Sequence, residues 1–315
     1  MKQTLSTLLL TTGTVFAADM PALNERLVLD VPSEAQYGQR STALMEADPG
    51  DDETLIWIGE GNDRIAIYAQ ELDILADTDF DAQAQKYLAD ICNKVAPDFE
   101  IQKLNDNIWY ALRKSAPSRP NGADLYGDAL IRHQDNTLIR LSVLFAPNLA
   151  PNAQPCRELT EKTIKGTRLG QGARVTAART DEINFFGEMV LLVDVPEHYV
   201  RTVNPGYDFT YTTYKKLATA DAPVEYFGVY LGGHPSFEKR KDAEKVKSTT
   251  AGKKATWYCY KTSAGAYAAE CCVQLTSKLN FDAPPVYMHL IIIAPSDEAR
   301  SAQIEQLSKI KKKRP

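Results

Sequence analysis

Ile108-Trp109-Tyr110-Ala111-Leu112-Arg113-Lys114 and Thr256-Trp257-Tyr258-Cys259-Tyr260-Lys261 read as two strands that open alike. Aromatic and β-branched residues dominate the start of each, and each ends on a cation. Ala146-Pro147 closes a later apolar run, Leu138 to Phe145. Ala294-Pro295 closes the corresponding run, Val286 to Ile293. The Trp-Tyr pairs lie 148 residues apart (257 − 109), and so do the Ala-Pro pairs (294 − 146). One offset at two landmarks predicts a duplicated unit, with Trp109 equivalent to Trp257 and Pro147 to Pro295.

Two further pairs keep the same order. Leu27-Val28-Leu29-Asp30-Val31-Pro32 returns as Leu191-Leu192-Val193-Asp194-Val195-Pro196, offset by 164 (194 − 30). Arg64-Ile65-Ala66-Ile67-Tyr68 returns as Tyr226-Phe227-Gly228-Val229-Tyr230, offset by 162 (226 − 64). The drift is what loops gained and lost produce, and copies this long make two domains rather than a solenoid. The shared 148 is partly a coincidence. The loop at Pro117 to Gly122 is longer in the first copy, that at Thr276 to Pro285 in the second, and the differences cancel. The Trp-Tyr stretches therefore mark a common framework. Function is expected where the copies differ: the His234 turn, the Tyr-rich second sheet and the long helix of the first.

The expected division is residues 1–17 as a cleaved secretory signal, 18–165 as the first repeat, 166–183 as a linker and 184–315 as the second repeat. Lys2, the apolar stretch Leu5 to Leu10 and Val15-Phe16-Ala17 have the layout of a signal sequence. That run is too short to span a bilayer, and no later run is long enough, so no transmembrane segment is expected after cleavage. A periplasmic or secreted location follows as the expectation.

In the first copy, strands are expected at Arg26 to Val31, Leu55 to Ile58 and Ile65 to Ala69, then a helix from Asp81 to Lys94. The helix follows the capping sequence Thr78-Asp79-Phe80-Asp81, and Phe80, Ala84, Tyr87, Leu88, Ile91 and Val95 recur at helical spacing. Leu125 to Arg132 and Leu138 to Phe145 make a hairpin, and Glu158 to Lys165 closes the unit as a helix. In the second copy, strands are expected at Met189 to Val195, Phe209 to Tyr214, Glu225 to Leu231, Thr256 to Lys261, Tyr267 to Gln274 and Val286 to Ile293. A shortened helix is expected near Lys239 to Val246. Ser296 caps the last helix, whose stripe is Ala299, Ile304 with Gln303, Leu307 and Ile310. The cationic run Lys309 to Arg314 reads as its last turn.

The fold class is thus α+β. Each of two similar domains is a mainly antiparallel sheet of about six strands with a C-terminal helix packed on it. This order of elements, with an aromatic-rich fourth strand and a closing helix in each half, resembles the Mog1/PsbP-like fold, a small α/β/α sandwich. The resemblance implies a non-catalytic accessory or binding protein and carries over no site residue.

The chain has 315 residues, 24% of them charged, with a formal net charge of −5. That balance excludes nucleic-acid binding by the chain as a whole. No Walker loop, strand-coupled GxGxxG, HExxH, GxSxG or CxxC is present. No cofactor and no metal site is encoded by these patterns. The four histidines, His133, His198, His234 and His289, show no helical metal-binding pair. His133 and His198 are expected at the surface, and His289 on a sheet face with Tyr287 and Ile291. His234, in Gly232-Gly233-His234-Pro235, sits where glycines permit close approach by a ligand. The acidic stretch Glu46 to Glu53 offers oxygens for Ca²⁺ but lacks the spacing of a calcium loop, and a solvated loop tip is the plainer reading.

Five cysteines in an exported chain allow disulfides. The expected pairs are Cys92 with Cys156, and Cys259 with Cys271 or Cys272; the alternative is buried free thiols. Alternation sets Phe209 and Tyr211 against Tyr214, and Trp257 against Tyr258 and Tyr260. Tyr211, Tyr214, Tyr230, His234, Tyr258 and Tyr260 form the candidate surface for a protein or glycan partner. The function expected is that of an exported, non-enzymatic binding or accessory protein of the cell envelope or extracellular space. The alternatives are an exported hydrolase with an uncommon site, built on His234 or the acidic stretch, and a structural or assembly factor of an envelope complex.

Overall fold

The computed structural model describes residues 16–38, 41–42, 45–46, 53–95, 98–115, 124–174, 176–187, 189–219, 221–276 and 285–313. Residues 1–15 of the expected signal (1–17), the acidic residues 47–52 and the loops at 116–123 and 277–284 lie outside them, while Phe16 and Ala17 begin a strand. The chain divides into two compact units, Met1–Arg174 and Val175–Pro315. Both are mostly antiparallel sheet.

In the first unit, β1 (Phe16–Ala22) and β2 (Leu27–Pro32) form a three-stranded sheet with β10 (Arg168–Leu169), in the order β1-β2-β10. The larger sheet holds β3 (Gln36–Tyr37), β4 (Glu53–Ile58), β5 (Ile65–Leu75), β6 (Phe99–Asn105), β7 (Ile108–Arg113), β8 (Asp124–Arg132) and β9 (Thr137–Phe145). Its spatial order is β3-β4-β5-β9-β8-β7-β6. Helix α1 (Phe80–Val95) connects β5 to β6, and α2 (Ala153–Gly166) follows β9. Asp79 Oδ1 accepts from Ala82 N at 3.0 Å and starts α1, as the capping sequence requires.

The sheet is buried on both faces. On one, Ile56, Ile67, Tyr110, Ala129 and Leu141 meet Leu27, Leu29 and Val31 of β2 and Cys156 and Ile164 of α2. On the other, Trp109, Ala111, Leu130 and Leu138 meet Phe80, Ala84, Leu88 and Cys92 of α1. That double cover explains why β7 and β8 read as nearly continuous apolar runs. Each fully buried Leu or Ile stabilises this arrangement by about 1.5–3 kcal/mol.

The second unit repeats the plan. β11 (Arg179–Phe185), β12 (Met189–Val195) and β20 (Lys311–Lys312) form the small sheet, in the order β11-β12-β20. The large sheet holds β13 (Tyr199–Pro205), β14 (Phe209–Lys216), β15 (Tyr226–Gly232), β16 (Glu244–Thr250), β17 (Lys253–Lys261), β18 (Tyr267–Gln274) and β19 (Tyr287–Ala294). Its order, β13-β14-β15-β19-β18-β17-β16, is that of the first unit strand for strand. Helix α3 (Asp297–Ser308) is capped by Ser296, whose Oγ accepts from Ala299 N at 3.2 Å. Leu191, Val193 and Val195 of β12 and Ile304 and Leu307 of α3 cover one face of the large sheet.

Several expectations fail for physical reasons. Trp109 faces α1, whereas Trp257 faces the core beneath α3. The 148-residue offset is thus wrong by an odd number at this strand, and an odd slip turns a side chain to the opposite face. The Ala-Pro landmark slips too: Ala294 is the last residue of β19, while Ala146 lies beyond the end of β9. The expected helix at Lys239 to Val246 is absent; residues 244–250 are the edge strand β16. The division between the units, after Arg174, falls inside the linker expected at 166–183, although its ends contribute β10 and the start of β11. The cationic tail does not extend α3, because Lys311 and Lys312 pair with Leu192 and Leu191 of β12.

All five cysteines are free thiols. Cys92 belongs to α1 and Cys156 to α2, which pack on opposite faces of the sheet, so the sheet separates them. The strand register puts Ala269, not Cys271 or Cys272, opposite Cys259.

Candidate functional site

The crossover from β15 to β16 passes over β19, β18 and β17, about 19 Å at 4.8 Å per strand. In the first unit the equivalent crossover is α1, with an apolar stripe that seals the sheet. In the second it is an irregular strap, residues 233–243. Among the described residues no second core cluster forms on this face. The face is therefore only partly covered, and its tyrosines are half-buried.

The register lays out the face in rows. Tyr211, Tyr230, His289 and Cys272 stand side by side on β14, β15, β19 and β18. The next row runs Thr213, Gly228, Ile291, Glu270, Tyr258 and Lys245, reaching the edge strand. Glycines set the ring attitude. A Cβ on Gly228 would lie 2.5 Å from Tyr211 Oη and 2.8 Å from its Cε2, so this ring lies down across Gly228. A Cβ on Gly232 would lie 2.5 Å from Tyr230 Oη. Phe209 stacks on Tyr230 at 5.5 Å between ring centres and 24°. The result is a flat aromatic floor rather than a set of upright side chains.

The strap touches the floor at few points. The His234 amide donates to Tyr230 Oη at 3.3 Å. Phe237 packs edge-on against Tyr258 (5.7 Å) and His289 (5.3 Å). Arg240 lies 3.8 Å over the Tyr260 ring, a cation–π contact.

One polar chain crosses the floor. His289 Nε2 lies 3.0 Å from Glu270 Oε2, and the Tyr260 hydroxyl donates to Glu270 Oε1. The hydrogen bond with His289 and that from Tyr260 hold the Glu270 carboxyl below the usual range. Its contribution is complete above the unfolded value of about 4.3 and is lost as pH falls through the lower folded value. Glu270→Gln is therefore expected to flatten the acid limb of stability below about pH 4. Urea melts of both proteins between pH 2 and 6 test this, and an unchanged acid limb would refute it.

The site residues expected from sequence separate here. Tyr211, Tyr230, Tyr258 and Tyr260 share the open face. Tyr214 does not: it is fully buried in the core, stacked on Phe227 at 4.7 Å. His234 is exposed, with Asp208 Oδ2 at 3.9 Å. His198 is exposed. His133, expected at the surface, is 4% exposed and points Nδ1 at Asp135 Oδ1, 3.2 Å away.

What the sequence reading missed is Glu270 and Cys272 beside His289, and the cations of residues 239–254. Alternation along Tyr267–Gln274 was the signal for Glu270 and Cys272. Cys272, His289 and Glu270 have the residue types of a nucleophile, base and acid. Burial, however, pushes the Cys272 thiol up to about 11, the wrong direction for a thiolate. Among the described residues no group of three or more His, Cys, Asp and Glu is placed to hold a metal. In the first unit a shallow open groove of about 500 Å³ is lined by Asp30, Glu158, Glu161, Lys162, Lys165 and Gly166, a mixture of charges with no nucleophile. No helix among the described residues is long and apolar enough to cross a membrane.

Fold and site together describe a two-unit, mostly antiparallel sheet protein with one aromatic sheet face left open. No family model, no curated protein and no solved structure matches the chain.

Proposed function

We propose that this protein is a non-enzymatic binding protein that engages its partner through the open tyrosine face of the second unit. One observation carries the reading. Two sheets of identical strand order differ in the crossover to their last edge strand, an apolar helix in one and a strap in the other. Leaving half-buried aromatic surface on one sheet only is costly unless something covers it. The thiol–imidazole–carboxylate group does not favour an enzyme, given the raised Cys272.

The identical orders also support a tandem duplication of an α+β unit, in which the second copy has lost its crossover helix. The Mog1/PsbP-like resemblance and the Leu5 to Leu10 run support an accessory role in the envelope or outside the cell. A photo-crosslinking amino acid at Tyr230, installed in the producing cell, is expected to give an adduct. The same group at Phe186, which is 50% exposed and lies at the turn between β11 and β12, serves as control. No adduct at Tyr230 above that control would remove the binding reading.

A further inference from the structure

We infer that the occupant of the tyrosine face is an anionic polysaccharide; this rests on the binding reading above. Charge is the first argument. Residues 239–261 hold eight Lys and Arg against Asp242 and Glu244, a net +6. The remainder of the chain then carries −11 (−5 − 6). A local positive field on an acidic protein selects a polyanion at one place while repelling it elsewhere.

Lys245, Lys247 and Lys254 stand on the same side as the tyrosines, whereas Lys253 and Lys261 alternate onto the other face. Lys245 pairs across strands with Tyr258, Lys247 with Thr256 and Thr249 with Lys254, and these alternate residues share the open face. All three lysines are exposed and form no salt bridge among the described residues. The strap crosses this face between the lysines and Tyr211, touching it at Tyr258, Tyr260 and His289, so the lysines offer one end of the surface and Tyr211 and Tyr230 the other. The five steps between β16 and β14 span about 24 Å at 4.8 Å each.

The aromatic geometry selects the ligand's other part. Tyr211 lies flat over Gly228, and Tyr230 covers Gly232. A flat ring with a hydroxyl at its rim suits a pyranose, whose C–H face stacks while its hydroxyls hydrogen-bond. A nucleobase beside its phosphates needs a free aromatic plane next to the cations. There the plane of Tyr260 is covered by Arg240, and Tyr258 receives the edge of Phe237. The Glu270 carboxylate adds an acceptor at mid-floor, to which sugar hydroxyls donate and fully ionised phosphates do not.

The full-length protein is titrated calorimetrically with polygalacturonate, chondroitin sulfate, neutral amylose and a 20-mer of deoxythymidine. Binding of at least one anionic glycan is expected, weakening as NaCl rises from 50 to 300 mM. Lys245→Gln/Lys247→Gln/Lys254→Gln is expected to bind it about tenfold more weakly, as three exposed ion pairs lost together would dictate. Gly228→Ala, which lifts Tyr211 without touching a charge, is expected to weaken it as well. All variants are first checked for native far-UV circular dichroism. Tighter binding of amylose or of the oligonucleotide overturns the inference, as does binding that is indifferent to the lysine substitutions. If neither anionic glycan binds while Tyr230 still crosslinks, the inference fails and the binding reading stands. Absence of both removes the two together.

Discussion

Arg26→Met is expected to lower the stability of the first unit by about 3–5 kcal/mol, the range for breaking a buried ion pair from one side. Arg26 is 1% exposed, and its guanidinium reaches Glu71 at 2.5 Å and Asp135 at 3.0 Å, with a further bond to Thr137 Oγ1. Methionine fills the stem volume but leaves the Glu71 carboxylate in a site that is 1% exposed at the side chain. Arg174, at 3.8 Å from Glu71 and 2.9 Å from Asp73, covers only part of that loss.

The position of Arg26 also matters because the chain before it is strained. Leu23, Asn24 and Glu25 all have positive φ, 54°, 51° and 62°, a left-handed turn that costs about 1–2 kcal/mol per residue. Gly170 N bonds Arg26 O at 2.8 Å and Gly172 N bonds Glu25 O at 3.0 Å, holding the turn in place. A Cβ on Gly170 would sit 1.9 Å from Glu25 O, so only glycine permits that clamp. Hydrogen exchange reads the effect by unit: amides of Ala69 and Val143 should lose protection in the variant, and that of Val229 should not. Arg26→Met/Glu71→Met should recover part of the loss, since a matched apolar pair removes the stranded charge. Unchanged protection at Ala69 would show that the network is not holding the first unit together.

Much of this architecture was legible because period-two and period-3.6 patterns survive where one face is buried. Leu27-Leu29-Val31 and Leu191-Val193-Val195 occupy the same place in the two small sheets, and their offset of 164 is the correct one in parity. The helix starts at Asp79 and Ser296 were legible from capping chemistry, which is local.

Edge strands were not legible. Glu244-Lys245-Val246-Lys247-Ser248-Thr249-Thr250 has the lysines that natural edges use against unwanted pairing, and the same lysines imitate a charged helix. Its β-branched end was the discounted signal. The candidate site was half legible. Alternation separated Tyr211 from Tyr214 correctly, but no local pattern says which face a helix will cover. That depends on the crossover, which lies far from the tyrosines in sequence. His133 went wrong for a related reason: its partner Asp135 is local, but Asp135 also receives Arg26 from a distant segment, which no local pattern signals.

Trp257→Ala is expected to destabilise the second unit by about 3–5 kcal/mol, and Trp109→Ala to do something different in the first. Trp257 is 0% exposed, belongs to the cluster that includes Ile304 and Leu307 of α3, and its Nε1 donates to Ser248 Oγ at 3.0 Å. Truncation leaves a cavity beneath α3 and an unpaired hydroxyl, so α3 amides should lose hydrogen-exchange protection first. Trp109 lies on the other side of its sheet, with Nε1 donating to Asp81 Oδ1 at 2.9 Å in the first turn of α1. Its truncation should release α1 while Leu159 and Ile164 keep α2 on the opposite face. Under the single 148-residue offset the two tryptophans would be equivalent, and both substitutions would loosen the closing helix. Loss of protection in α2 rather than α1 on Trp109→Ala would overturn the two-faced assignment. It would also undercut the reason the second unit has an open face, because that reason is the absence there of the helix that Trp109 supports.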